Sequence, residues 1–312
     1  MSLRSAAALG AGLWTAALLA VRPVLLGNAW PRLLLLLAAL VLLPLGLDLV
    51  SDGEDSLPWR VVKVFQMPAA LLLGVALFLP QGSVAAGLAF PWLLLTGAVA
   101  LLGAWRLRRR DALSDICLNA ASIYLAVGGA WAMADRLGLR PLAFDSAIVL
   151  LTAVHFHYAG FVLPLVTGLA IRQAKRGPVA LAGVGVVAGV PLVAAGITMA
   201  QLTFESLVEC WAAWLLAMAA TATAALHIRL ALQPAWPRLV RGLWTLSALS
   251  LVAGMTLAAL YGSRSFLPWY GLDVPWMRAL HGTANALGFA LAGLVAWTLA
   301  PIPGRRPSYP AG

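Results

Sequence analysis

Long apolar runs, separated by short breaks rich in charge, proline or glycine, divide the chain into ten segments. They lie near 5–24, 32–50, 61–79, 83–105, 113–134, 144–171, 178–200, 203–230, 238–261 and 275–301. A helix crosses the hydrocarbon of a bilayer with about 20 apolar residues at a rise of about 1.5 Å each, and the segments are of that order. Stretches such as Leu33–Leu47, Ala69–Leu79 and Ala286–Ala300 are continuous rather than alternating. They predict helices, because strands of a membrane barrel alternate apolar and polar positions. The pattern therefore predicts an all-α integral membrane protein, a bundle of about ten transmembrane helices. The spans leave only short connectors, so 1–312 reads as a single transmembrane domain. The first segment, Arg4 followed by Ala6–Val21, has the outline of a signal peptide. No small-x-small cleavage site precedes Arg22, which favours a retained first span.

Composition agrees with this picture and charge refines it. Of the 312 residues 62% are hydrophobic and only 10% charged, far below the roughly 25% a soluble surface carries. The net charge of +10 is not the signature of a nucleic-acid partner, which needs cations clustered on one face of a soluble fold. Here the cations punctuate the ends of apolar runs, and the expected partner is the lipid bilayer. With ten spans and both termini cytoplasmic, 15 of the 21 lysines and arginines fall on the inner side. They include Arg60, Lys63, Arg106, Arg108–Arg110, Arg172, Lys175, Arg176, Arg229, Arg238 and Arg241. The outer set is Arg22, Arg32, Arg136, Arg140, Arg264 and Arg278. One span more or fewer would reverse every side beyond it and spoil this bias. The two cysteines, Cys117 and Cys210, lie in apolar segments and read as small buried hydrophobes.

Several helices carry residues that interrupt regular packing. Pro44 lies in the second span, Met67-Pro68 in the third together with Lys63 and Gln66, and Gly183, Gly185, Gly189 and Pro191 in the seventh. Glycine and proline are frequent in membrane helices, so close contacts or mild kinks are expected at them. Ten spans would suit a five-plus-five repeat, but no internal self-similarity is visible.

Polar groups at membrane depth need compensation and mark candidate sites. The sixth span contains Thr152-Ala-Val-His155-Phe-His157-Tyr158-Ala-Gly160-Phe-Val-Leu-Pro164. With a start near Phe144, both histidines lie about 16–20 Å deep. Positions i and i+2 of a regular helix point about 200° apart, so the two imidazoles either meet different neighbours or sit in a local distortion near Gly160 and Pro164. In the tenth span His281 and Asn285, at i and i+4, share a face and can bind one ligand or each other, and Gly282 and Gly288 allow a close approach. Glu205 and Glu209, again i and i+4, open the eighth span, where the helix dipole alone favours carboxylates. These three spans enter from the same side, which predicts one substrate or proton site of His155, His157, Tyr158, Glu205, Glu209, His281 and Asn285. A secondary polar site, Asp115 with Asn119, adjoins the basic loop Arg106–Arg110, where charge pairing is the simpler account. His227, beside Arg229, reads as interfacial.

The stretches His155-Phe-His157-Tyr158-Ala-Gly160-Phe and His281-Gly-Thr-Ala-Asn285-Ala-Leu-Gly288-Phe resemble the YndJ-like family of bacterial multi-pass membrane proteins. Tyr124-Leu-Ala-Val-Gly128-Gly129-Ala-Trp131 and Pro141-Leu-Ala-Phe144 are similar as well. The resemblance covers roughly 115–300, the motif-bearing helices after about residue 111, whereas the more variable helices of 1–110 match in hydropathy. It implies a transporter-like protein of the bacterial plasma (inner) membrane and assigns no catalytic residue.

Two functions follow. A permease or small-solute transporter would use the mid-membrane histidines to bind an unknown small solute or relay protons, since imidazole titrates near neutral pH. A membrane-embedded metal- or haem-dependent enzyme would use the same histidines as ligands. The sequence holds no His-Glu-x-x-His, Cys-x-x-Cys or nucleotide-binding loop, so no metal and no cofactor is assigned.

Overall fold

The computed structural model describes residues 1–51, 53–109, 112–174, 177–203, 206–267 and 271–301. Among the described residues there are ten helices long and apolar enough to span a membrane, and no strand. They are α1 (Leu3–Val21), α2 (Ala29–Ser51), α3 (Leu57–Phe78), α4 (Ser83–Leu107), α5 (Leu113–Leu137), α6 (Ser146–Gln173), α7 (Val179–Thr203), α8 (Leu207–Ala231), α9 (Arg238–Gly262) and α10 (Val274–Leu299). Helix content of 85% follows from the solvent: in hydrocarbon each backbone N–H and C=O needs an internal partner, and a helix supplies them within one segment.

The helices alternate in direction, so α2, α4, α6, α8 and α10 all begin at one end of the bundle, called upper below. α2 is its axis. The helix is apolar on every face, and 94% of its central window is buried, against 17% for α1. Such an all-round apolar helix belongs inside a bundle. α1 to α6 assemble around α2, while α7, α8 and α9 pack in sequence and carry α10 back against α2 and α6.

Ion pairs fasten the lower end. Arg4 meets Asp48 at 3.0 Å, Arg106 meets Glu54, and Arg172 meets Asp115. Asp115 thus pairs with the end of α6, and Arg110 of the loop expected from sequence lies outside the described residues. Arg106 instead donates to the Val50 carbonyl (2.8 Å) and lies 4.8 Å over the Trp59 ring. It covers the carbonyls that the end of α2 leaves free, a role suited to a cation at a helix C-terminus. At the upper end Arg136, buried beside Asp135, does the same for α3 by donating to the Ala76 and Leu79 carbonyls (3.0 and 3.2 Å).

α2, α6 and α10 each contain wide π-helical turns, at Ala38–Leu42, Phe156–Val162, and Arg278–Gly282 with Ala284–Leu291. In α2 and α6 a proline follows within two residues. Proline has no N–H and its ring collides with the carbonyl four residues back, and the wider turn makes room for it. The Leu43 N–H reaches back to the Ala38 carbonyl, leaving the Ala39 carbonyl without its usual donor. Gln66 of α3, fully buried, supplies one at 2.8 Å. Pro68, Pro91 and Pro191 lie in helices without such turns, so proline alone does not produce them.

Candidate functional site

The three helices with wide turns touch one another in their upper halves. The Trp30 indole N–H of α2 donates to the Thr283 hydroxyl of α10 at 3.0 Å, and the Tyr158 hydroxyl of α6 donates to the Leu34 carbonyl of α2 at 2.9 Å. At this junction His155 of α6 and His281 of α10 lie nearly parallel, ring centroids 5.9 Å apart and planes 23° from each other. By helix rise the two stand about 13 Å and about 10 Å below the starts of α6 and α10.

The hydrogen bonds fix what each ring presents. His281 Nδ1 lies 2.8 Å from the Gly254 carbonyl of α9. A carbonyl only accepts, so the Nδ1 hydrogen points there. Asn285 approaches the same nitrogen at 3.2 Å, but its amide donates instead to the His281 carbonyl at 3.0 Å. Gly254 permits this crowding: a Cβ there would fall 2.3 Å from Asn285 Nδ2. His281 thus spends the single hydrogen of its neutral ring on a backbone carbonyl and keeps a lone pair on Nε2, which has no hydrogen-bond partner among the described residues. His155 is exposed, and Leu151, Thr152, Phe156, Ala159, His281, Asn285 and Gly288 are half-buried. This part of α6 and α10 therefore lies at the outer surface of the bundle. Below it α6 closes against α8, where the Thr167 and Thr223 hydroxyls bond at 2.9 Å.

The other polar residues expected at this site go elsewhere. His157, two residues from His155, turns toward α4 and α5. Its Nδ1–H donates to the Ala153 carbonyl at 2.7 Å and its Nε2 accepts from the Trp92 indole at 3.1 Å, with the two rings stacked at 5.8 Å. Gly128 makes the space, since a Cβ there would sit 2.7 Å from the ring. His157 is sealed and both nitrogens are occupied. The divergence of the two imidazoles and a local distortion occur together here, because the wide turn begins between them at Phe156.

Glu209 is buried and held in a two-pronged ion pair by Arg264, at 2.7 and 3.1 Å, with the Arg264 guanidinium 4.2 Å over Tyr261. Burial alone would lower the Arg264 pKa, but its hydrogen bond and charge interaction with Glu209 outweigh this and raise it. Glu209 stands level with Gly262 of α9, whereas His281 meets Gly254. Eight residues of helix separate those levels by about 12 Å. The carboxylate is thus a fastening of the upper end and does not reach the histidine pair. Glu205 lies outside the described residues. Asp115 is bound to Arg172, and Asn119 is buried where α5 meets Gly103 of α4. His227 is not interfacial: it is fully buried, accepts from the Trp297 indole at 3.1 Å and stacks on Trp244 at 6.5 Å. Among the described residues no three histidine, cysteine, aspartate or glutamate side chains converge as metal ligands.

Sequence reasoning missed the partners that decide these roles. Trp92 and the Gly254 carbonyl are 65 and 27 residues from the histidines they serve, and neither position carries a motif that announces the contact.

Ten apolar helices, one of them a buried axis, with a polar junction in their upper part, define a multi-pass α-helical membrane protein. The family described as YndJ-like protein matches residues 33–289, and the chain belongs to it. This match begins in α2 and so takes in α2 to α4, which from sequence looked similar in hydropathy alone, and leaves out α1. The chain is 30% identical over 181 residues to the uncharacterized membrane protein YndJ of Bacillus subtilis (strain 168), a stretch covering 57% of this chain and 31% of that protein. It therefore spans about a third of the length of that relative. No solved structure matches.

Proposed function

We propose that this membrane protein is a small-solute carrier of the bacterial plasma membrane, with both termini cytoplasmic, and that the His155–His281 pair is its solute- or proton-binding group. One observation carries the reading: two imidazoles from different helices stack in the upper part of the bundle, and His281 has one nitrogen anchored on a carbonyl and the other offering a lone pair. Such a pair accepts hydrogen bonds. It therefore suits a proton, or a solute that presents N–H or O–H groups, and binding one proton makes the pair a shared imidazolium site. The wide turns in α2, α6 and α10 support the reading, because π-helical turns concentrate at functional sites and interrupted helices frame the substrate sites of many transporters.

The test is uptake into proteoliposomes under an imposed pH gradient, screened over candidate solutes. Alanine at His155 or at His281 is expected to reduce coupled movement at least about a hundredfold, the lower end of what a positioned acid–base group contributes, while the detergent-purified protein stays folded. Transport indifferent to both substitutions would retire the histidine-coupled carrier. The stacked histidine pair favours one second reading, ligation of a metal or haem in a membrane-embedded enzyme. A visible spectrum and metal content that vanish in His155→Ala and His281→Ala would move the assignment there.

A further inference from the structure

The lower ends of α8 and α9 flank a groove of about 490 Å³, lined by Ile228, Ala231, Leu232, Arg238, Arg241 and Thr245, together with Gly242. We propose that this groove holds the headgroup of an anionic phospholipid. Arg238 and Arg241 stand three residues apart in the first turn of α9 and so share a face. Arg241 is pinned by its Nε–H, which donates to the Ala231 carbonyl at 2.5 Å. Its terminal NH2 groups have no partner among the described residues, and Arg238, exposed, has none either. No carboxylate lines the groove. Two guanidinium groups without an acid between them attract a phosphate, which arginine can grip with paired N–H donors. Glycine at 242 keeps the floor low where a longer side chain would fill it.

Position selects the source of that phosphate. The groove lies at the rim of the apolar bundle, at the last turn of one span and the first turn of the next, which is headgroup level in a bilayer. Its outer border is apolar: Leu232, Leu239, Leu246 and Leu249 are all exposed along α8 and α9. An acyl chain descending from a phosphate at Arg238 and Arg241 would lie on those leucines. Basic pockets between membrane helices take anionic lipids in this way. At the upper rim Arg264 and Arg278 are already bound to Glu209 and to Asn28.

Native mass spectrometry of the full-length, delipidated protein with phosphatidylglycerol or phosphatidylcholine tests this. The expected result is one retained phosphatidylglycerol at an affinity about tenfold above phosphatidylcholine, reduced about threefold in Arg238→Gln and lost in the Arg238→Gln/Arg241→Gln double variant. The Arg238 side chain is exposed and makes no hydrogen bond or ion pair with the described residues, so its single variant reads the site without disturbing the fold. Equal retention of the two lipids by the wild-type protein would overturn the proposal, as would undiminished preference in the double variant. Displacement of phosphatidylglycerol by millimolar inorganic phosphate would also overturn it, by making the groove a site for free anions.

Discussion

His155 and His157 lie two residues apart, at the same depth of the same helix, yet their surroundings are opposite. His157 is enclosed by Trp92, Ala153 and Gly128, with a donor for one nitrogen and an acceptor for the other. His155 stacks on His281 and is exposed at the bundle surface. Depth in the membrane therefore does not distinguish a structural imidazole from an available one. Enclosure does. His227, with Trp297 on Nε2, its Nδ1 buried without a hydrogen-bond partner and tryptophans around the ring, is enclosed like His157.

The comparison can be broken by experiment. His157→Ala removes a packed ring and orphans the Trp92 indole, and is expected to destabilise the protein by about 3 kcal/mol in a detergent unfolding titration. His155→Ala is expected to change it by less than about 1 kcal/mol, because no buried group loses a partner. Equal costs would erase the distinction. Gly128→Ala should destabilise by about 2 kcal/mol, since the new methyl collides with His157 in a filled interior. The same methyl group at Gly87, which meets nothing within 4 Å, should be nearly neutral. Acylation of the folded protein by diethylpyrocarbonate sharpens the contrast: His155 should modify at least about tenfold faster than His157 or His227, because reagent reaches the latter two only through opening of the fold. Peptide mapping after a short exposure reads the ratio.

The smallest effect lies at the lower end and calibrates the rest. Glu54 is partly exposed; its burial pushes the carboxyl pKa up, but hydrogen bonds and charge from Arg106 and a hydrogen bond from Ser56 together carry it below 4.5. A carboxyl lowered by folding contributes stability that is present above its unfolded pKa and is lost as pH falls through the lower folded value. Screening limits this to under about 1 kcal/mol. Glu54→Gln should flatten the stability profile at acidic pH by that amount and leave the histidine comparison unchanged.

The number and order of the helices were legible in the sequence, because each apolar run has a length matched to the hydrocarbon and each break carries charge or a helix breaker. The i, i+4 relation of His281 and Asn285 was legible too, and the two side chains do meet. Which helix each polar group faces was not. The wide turn at Phe156–Val162 shifts the phase of α6 within the motif, so a regular helical wheel misplaces its residues. Glu209 looked like an open carboxylate because its partner Arg264 is 55 residues away. His227 looked interfacial because Arg229 is its neighbour in sequence, whereas Trp244 and Trp297 are its neighbours in space. In each case the deciding contact is nonlocal and carries no periodic signal.

Arg278 reaches from α10 across the upper end to the Asn28 side chain (3.0 Å) and the Leu26 carbonyl (2.8 Å), 250 and 252 residues earlier. Synthesis proceeds from the N-terminus, so these two acceptors wait unfilled while nine spans enter the bilayer. The ring of helices is latched only when α10 arrives, and α10 also delivers His281. Assembly of the bundle and completion of the imidazole pair are thus one event: a nascent chain stopped short of that helix holds His155 without its counterpart.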